Sequence, residues 1–138
     1  MDRSTEAWLA KDYDASRAFC SPDIEVVTPD AGPLRGIDQF LDWQRQLNEA
    51  FPDVRYESTL KLEDGNRAID VGDVIGTHSG PLAMPDGSSI PATGKQVRMR
   101  SCDIATVEGG AITKHEFFYD QMDMAMQLGI VQQLAAIV

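Results

Sequence analysis

The chain has 138 residues, of which 12 are basic and 22 acidic, with a net charge of −10 and 43% hydrophobic content. That length suits one domain around one core, and the charge balance argues against nucleic acid, whose phosphates need clusters of Lys and Arg that this sequence lacks. The apolar runs are too short to cross a bilayer, and the first residues lack a basic start, an apolar middle and a small-residue cleavage site, so a cytoplasmic protein without membrane contact is expected.

In chain order, residues 5–19 read as helix, with Trp8, Leu9, Tyr13, Ala18 and Phe19 turned inward and Asp14 placed to cap a second short helix within the span. SPD at 21–23 breaks it, residues 24–28 form a short β-branched strand, and PDAGPLRG (29–36) reads as loop. Residues 37–51 give the clearest helix. Ile37, Phe40, Leu41, Gln44, Leu47, Asn48 and Phe51 fall at helical spacing, only Gln44 and Asn48 among them are polar, and Pro52 cannot continue the helix.

The second half is strand-like. Val54, Tyr56, Ser58, Leu60 and Leu62 alternate with charged or polar neighbours up to a turn at EDGN (63–66). Residues 68–78 predict the next strand, 79–94 a long loop, 96–107 a strand, EGG (108–110) a turn and 111–120 the last strand. Residues 121–128 predict a helix ended by Gly129, and the apolar tail to Val138 suits docking or a dimer contact. The order predicts a single α+β domain over residues 1–138, with helices on one side of a curved antiparallel sheet and room between them for a small ligand.

Motifs exclude several chemistries. GSSIPATGK (87–95) has the wrong Gly spacing for a phosphate loop, and Gln96 stands where a magnesium-binding Ser or Thr belongs. There is no Gly-x-Ser-x-Gly, no His-Glu-x-x-His and no dinucleotide fingerprint. Cys20 and Cys102 are far apart and read as reduced core thiols, and His78 and His115 are too few for a His-rich centre, so no metal is expected.

Asp120 opens the question of function. It ends a run of large apolar residues and precedes a Met-rich helix. One reading is a helix cap. The other is a carboxylate facing a cavity beside Phe118, where lost water raises its pKa into the range useful for proton transfer. Strand alternation groups Ile112, Lys114, Glu116, Phe118 and Asp120 on one face and Thr113, His115, Phe117 and Tyr119 on the other. His78 ends a strand and either shuttles protons or bonds a loop carbonyl. Asp103 lies mid-strand between Cys102 and Ile104, a costly place unless a group such as Arg98 or Arg100 pairs with it. Met122 and Met126 at i and i+4 read as core, or as an adaptable cavity wall.

GTHSGPL (76–82), PATGKQV (91–97) and GGAITKHEFFYDQMDMAMQLGI (109–130), with EAWLAKDYDASRAFCSPDIEVV (6–27) and FLDWQRQLNEAFPD (40–53), together resemble the SnoaL-like polyketide cyclase family of the nuclear transport factor 2-like superfamily. The resemblance implies a cone-shaped α+β barrel with an apolar pocket, commonly dimeric, and cofactor-independent acid–base catalysis of an aldol-type ring closure. The family's late Asp falls on Asp120 and its Gly-Thr-His histidine on His78. His115 matches the family's Glu-His-Trp run, while Lys114 replaces its Glu and Glu116 its Trp. Epoxide-opening relatives use an Arg and two Asp, a set that Arg100, Asp103 and Asp120 would supply here.

The expected protein is thus an acid–base enzyme, without cofactor, for a polyketide-like or other apolar polycarbonyl substrate. Asp120 and His78 would be catalytic, and Glu116, His115, Phe118, Asp103 and Met122 would contact substrate. The partners expected are that apolar small molecule and a second copy of the chain. The alternatives are a non-catalytic small-molecule binder and an epoxide hydrolase or isomerase on the same scaffold.

Overall fold

The computed structural model describes residues 2–84 and 86–132, so the expected role of the apolar tail after 132 lies outside the described residues. Two short helices, α1 (Asp2–Leu9) and α2 (Tyr13–Phe19), make up the helical span, the second lying within it as expected. Lys11 at φ 58° turns the chain between them. Asp12, rather than Asp14, caps α2 by accepting the Ala15 amide at 3.1 Å.

Strand β1 (Cys20–Thr28) begins directly after α2, earlier than the Ser-Pro-Asp signal suggests. Pro22 has no amide to donate, and it falls where the β1 pairing shifts register, between Cys20 and Glu25. The expected loop at 29–36 carries an edge strand, β2 (Gly32–Arg35), folded back antiparallel on β1. Helix α3 (Ile37–Ala50) buries Ile37, Phe40, Leu41, Trp43, Gln44, Asn48 and Ala50. Each fully buried Phe or Leu contributes about 1.5–3 kcal/mol, so this stripe fixes α3 to the sheet.

The rest is β3 (Arg55–Asp64), β4 (Arg67–Thr77), β7 (Gln96–Glu108) and β8 (Ala111–Tyr119), then α4 (Gln121–Leu128) ended by Gly129 at φ 73°. Inside the expected long loop, β5 (Leu82–Ala83) and β6 (Ser89–Ile90) form a small hairpin. The main sheet runs β2-β1-β8-β7-β4-β3, with β1 and β8 parallel and every other pair antiparallel. The architecture is the expected α+β. Among the described residues no helix is long and apolar enough to cross a membrane.

Two buried clusters support the sheet. One gathers Phe51, Leu82, Val97, Met99, Met124 and Leu128; the other gathers Ile24, Val26, Phe40, Leu41, Trp43 and Ile112. Tyr119 packs against both and so marks the space between them. On β7 the pattern is regular: Val97, Met99 and Ser101 are buried while Arg98 and Arg100 are exposed. On β8 it is not. Thr106 pairs with Lys114 and Val107 with Ile112, which leaves Thr113 as an extra residue. A bulge of this kind reverses the alternation. Ile112 and His115, three apart, are therefore both buried. This corrects the expected grouping of Ile112 with Lys114, Glu116 and Phe118. From His115 onward the odd residues face inward.

Candidate functional site

Between the inner face of the sheet and helices α1, α3 and α4 lies a cavity of about 100 Å³. Its wall is mostly apolar, with Phe40, Trp43, Leu47, Met99, Phe117 and Met124 prominent. The aromatic rings interlock. Trp43 and Phe117 centroids lie 4.9 Å apart at 49°, and His115 stacks on Phe117 at 4.0 Å and 20°. Such a wall suits a flat, apolar ligand.

Polar atoms break this wall at a few points, and several have no partner among the described residues. Asp103 Oδ1, both ring nitrogens of His115, Gln44 Oε1 and Trp8 Nε1 are shut off from solvent and unbonded, and all belong to lining residues. A buried polar atom left unpaired costs about 1–3 kcal/mol, so such atoms together in a cavity are suited to ligand contacts.

Four of the lining groups have altered acidity; in one, Tyr56, burial and its bond to Asp70 push the phenol well above its usual range. Burial, with the negative charge of Asp70 adding to it, pushes the Asp103 carboxyl up to about 7. Burial pushes His115 down to about 3, so its imidazole is neutral at ordinary pH. Burial and the neighbouring Asp30 push the Tyr119 phenol well above its usual range, and its hydroxyl bonds the Asp30 carboxylate. The Trp43 indole also donates to Asp30, at 3.3 and 3.4 Å to its two oxygens. The turn before β2 thereby fixes two cavity walls.

The expected site residues divide in two. Asp103 and His115 both line the cavity. Neither Arg98 nor Arg100 pairs with Asp103: both lie on the outer face and bind Asp73, at 2.8 and 3.4 Å. Asp120 is not a cavity acid. It is exposed, absent from the lining, and accepts the Asp123 amide at 3.0 Å as the N-cap of α4. Its position follows from β8 ending at Tyr119, with the inward face already taken by His115, Phe117 and Tyr119.

His78 is fully buried yet also absent from the lining. Its Nδ1 accepts the Thr93 amide at 3.2 Å and lies 3.0 Å from the Thr93 hydroxyl, while its ring packs on Phe51 at 5.6 Å. Burial lowers its pKa, against a backbone hydrogen bond at Gly80. His78 thus holds the loop carrying β5 and β6 rather than facing a ligand. Glu116 lies on the outer face with Lys114 at 4.0 Å, and Phe118 and Met122 are 47% and 50% exposed. None of the three lines the cavity, since the alternation after Thr113 turns Glu116 and Phe118 outward.

The structure adds Gln44, Trp8, Tyr119 and Asp30 to the site. Gln44 carried a signal: a polar residue on an otherwise apolar helical stripe. Trp8 was legible as inward-facing but not as an orphan donor. Asp30 lay in a Pro/Gly-rich loop with no sign of its partners. Among the described residues no group of three or more His, Cys, Asp or Glu is placed to hold a metal ion.

A family model, SnoaL-like domain, matches residues 1–115. No curated protein matches the sequence. Among solved structures, the chain is similar to a candidate SnoaL-like polyketide cyclase from Jannaschia sp. CCS1, with 20% identity, a TM-score of 0.80, and coverage of 89% of this chain and 83% of that one. It is similar to IdmH, a candidate polyketide cyclase from Streptomyces antibioticus, with 25% identity, a TM-score of 0.78, and coverage of 93% and 94%. It is also similar to AclR, a candidate hydroxylase from Streptomyces galilaeus, with 20% identity, a TM-score of 0.76, and coverage of 92% and 90%. With four-fifths of its length matched by the family model and the α+β cone in place, the chain belongs to the SnoaL-like domain family, of the nuclear transport factor 2-like fold.

Proposed function

We propose that this protein is a cofactor-independent acid–base enzyme of the polyketide cyclase type, and that its acid is Asp103. One observation carries the reading: a carboxyl with its Oδ1 sealed from solvent in an apolar cavity, its pKa raised to about 7. A group poised near neutrality exists in both forms at working pH. Ionised, Asp103 takes a proton α to a substrate carbonyl. Protonated, it returns that proton to the alkoxide or enolate oxygen of the closed ring. Neutral His115 donates one N–H to a substrate oxygen, and Trp8 Nε1 offers a second donor. The aromatic wall holds a polycarbonyl chain folded for attack on itself.

The neighbours named as polyketide cyclases favour this chemistry. The epoxide-opening alternative has less support, because no arginine is among the lining residues. The exposed outer face around Phe118 and Met122 is the surface we propose for the homodimer, which sedimentation of Phe118→Glu tests: dissociation supports it, and an unchanged mass removes it.

The enzyme reading is tested with Asp103→Asn and a panel of aromatic polycarbonyl substrates. Loss of ring closure with ligand binding retained supports it. Wild-type protein that binds the panel and converts none of it favours the non-catalytic binder.

A further inference from the structure

Asp103 is not the sole acid on its part of the sheet. Asp70 of β4 stands directly opposite it in the β4–β7 register, on the same face. Side chains so paired have Cβ atoms about 4.5–5.5 Å apart. Asp70 is buried, and Tyr56 and Ser58 of β3 both donate to its Oδ1, at 2.8 and 2.7 Å. The backbone is shaped for this contact. A Cβ at Gly72 would run into the Glu57 carbonyl and lie 2.7 Å from Tyr56 Cζ and Oη, so glycine lets both the β3 backbone and the Tyr56 phenol come this close to β4.

The pair also divides two spaces. Asp103 lines the apolar cavity, while Asp70 lines a second, more open space of about 570 Å³ and mixed character, with Lys61, Arg3 and Asp2 as well as Phe19, Leu62 and Ile69. Lys61 feels the Asp70 charge, and bonds Asp2 at 2.7 Å.

Resting on the reading of Asp103 as the catalytic acid, we propose that Asp70 is its positioning residue. Its anion, held by the Tyr56 and Ser58 hydroxyls and faced by Lys61, keeps the pair's single proton on Asp103, on the substrate side. The two hydroxyls occupy Oδ1 of Asp70, whereas Asp103 Oδ1 has no donor among the described residues. Two adjacent carboxyls share one proton below neutrality and release it only near neutrality, because a second anion beside the first is disfavoured. The other ionisable groups around Asp103 are Tyr56 on β3, Tyr119 and His115 on β8, Cys102 beside it on β7, and Asp30 beyond Tyr119. Asp70 is the carboxyl directly opposite it.

The test is a carboxyl-carbon NMR titration of aspartate-labelled protein, with the Asp103 signal assigned by its loss in Asp103→Asn. In Asp70→Asn the Asp103 midpoint falls by at least about one pH unit, because burial remains and the neighbouring charge is gone. Tyr56→Phe keeps the ring and removes one donor, so the proton moves toward Asp70 and the Asp103 signal again titrates lower. An Asp103 midpoint unmoved in both variants overturns the proposal, and should Asp70→Asn fail to fold, an unmoved midpoint in Tyr56→Phe does so alone. The titration needs no substrate. A coupled pair in a protein that closes no ring would therefore refute the cyclase reading while leaving the shared proton of Asp70 and Asp103 in place, so the two failures are distinguishable.

Discussion

The two faces of β7 and β8 carry similar kinds of residue in opposite settings. The outer face presents Arg98, Arg100, Glu116 and Phe118, its charges paired at the surface with Asp73, Glu57 and Lys114. The inner face presents Asp103, His115, Phe117 and Tyr119 to a cavity in which several polar atoms have no partner among the described residues. The same contrast separates two aspartates. Asp120 is exposed and satisfied by the start of a helix, whereas Asp103 is withdrawn from water beside another carboxylate. Acidity useful for catalysis comes from what surrounds a carboxyl, and a sequence shows the carboxyl more readily than its surroundings.

Substitutions at the two aspartates separate most widely in turnover. Asp103→Asn lowers ring-closing activity on the order of 10²–10⁴-fold, the usual worth of a general acid–base group. Asp120→Asn leaves turnover within the error of a steady-state assay. Equal losses in both would place the proton transfer elsewhere.

Stability against pH distinguishes the inner face next. The fold prefers protonated Asp103, so the folded state binds more protons than the unfolded chain between the ordinary 3.8 and about 7, and stability falls as pH rises through that window. Asp103→Asn removes the loss. Denaturant melts should show the variant more stable than wild type above neutrality, by on the order of a few kcal/mol, and the two converging in acid. His115 has the opposite sign. Its folded pKa is depressed to about 3, so the unfolded chain binds the extra proton below the ordinary 6.5 and stability falls on acidification. His115→Leu flattens that acid limb, and an unchanged limb would mean the imidazole is not buried neutral.

Outer-face changes are smaller. Asp120→Ala removes the α4 cap and costs about 1 kcal/mol in a thermal or denaturant melt, with turnover retained. Arg100→Ala changes stability by about 1 kcal/mol or less, since its bond to Asp73 is solvent-screened. A large loss of turnover in Arg100→Ala would revive the epoxide-opening set.

Local patterns in the sequence were enough for the elements. The stripe from Ile37 to Phe51, the alternation after Val54, the turn at Gly65 and the stop at Gly129 all act through near neighbours, and so did the Asp120 cap as one of two readings. Asp103 was legible as a candidate because an acid between apolar strand residues is costly unless paired, and His115 because the Lys114-His115-Glu116 run resembles a family motif. Which face they shared was not legible. One extra residue at Thr113 reverses the alternation of β8, and whether a strand bulges depends on the partner strand, which lies elsewhere in the chain.

The sequence by itself determined the α+β order and, through the motifs spread along it, the family. Only the tertiary structure decided which acid loses its water. Desolvation and the charge of Asp70 reach Asp103 across strands thirty-three positions apart in the chain, and no local spacing records that distance.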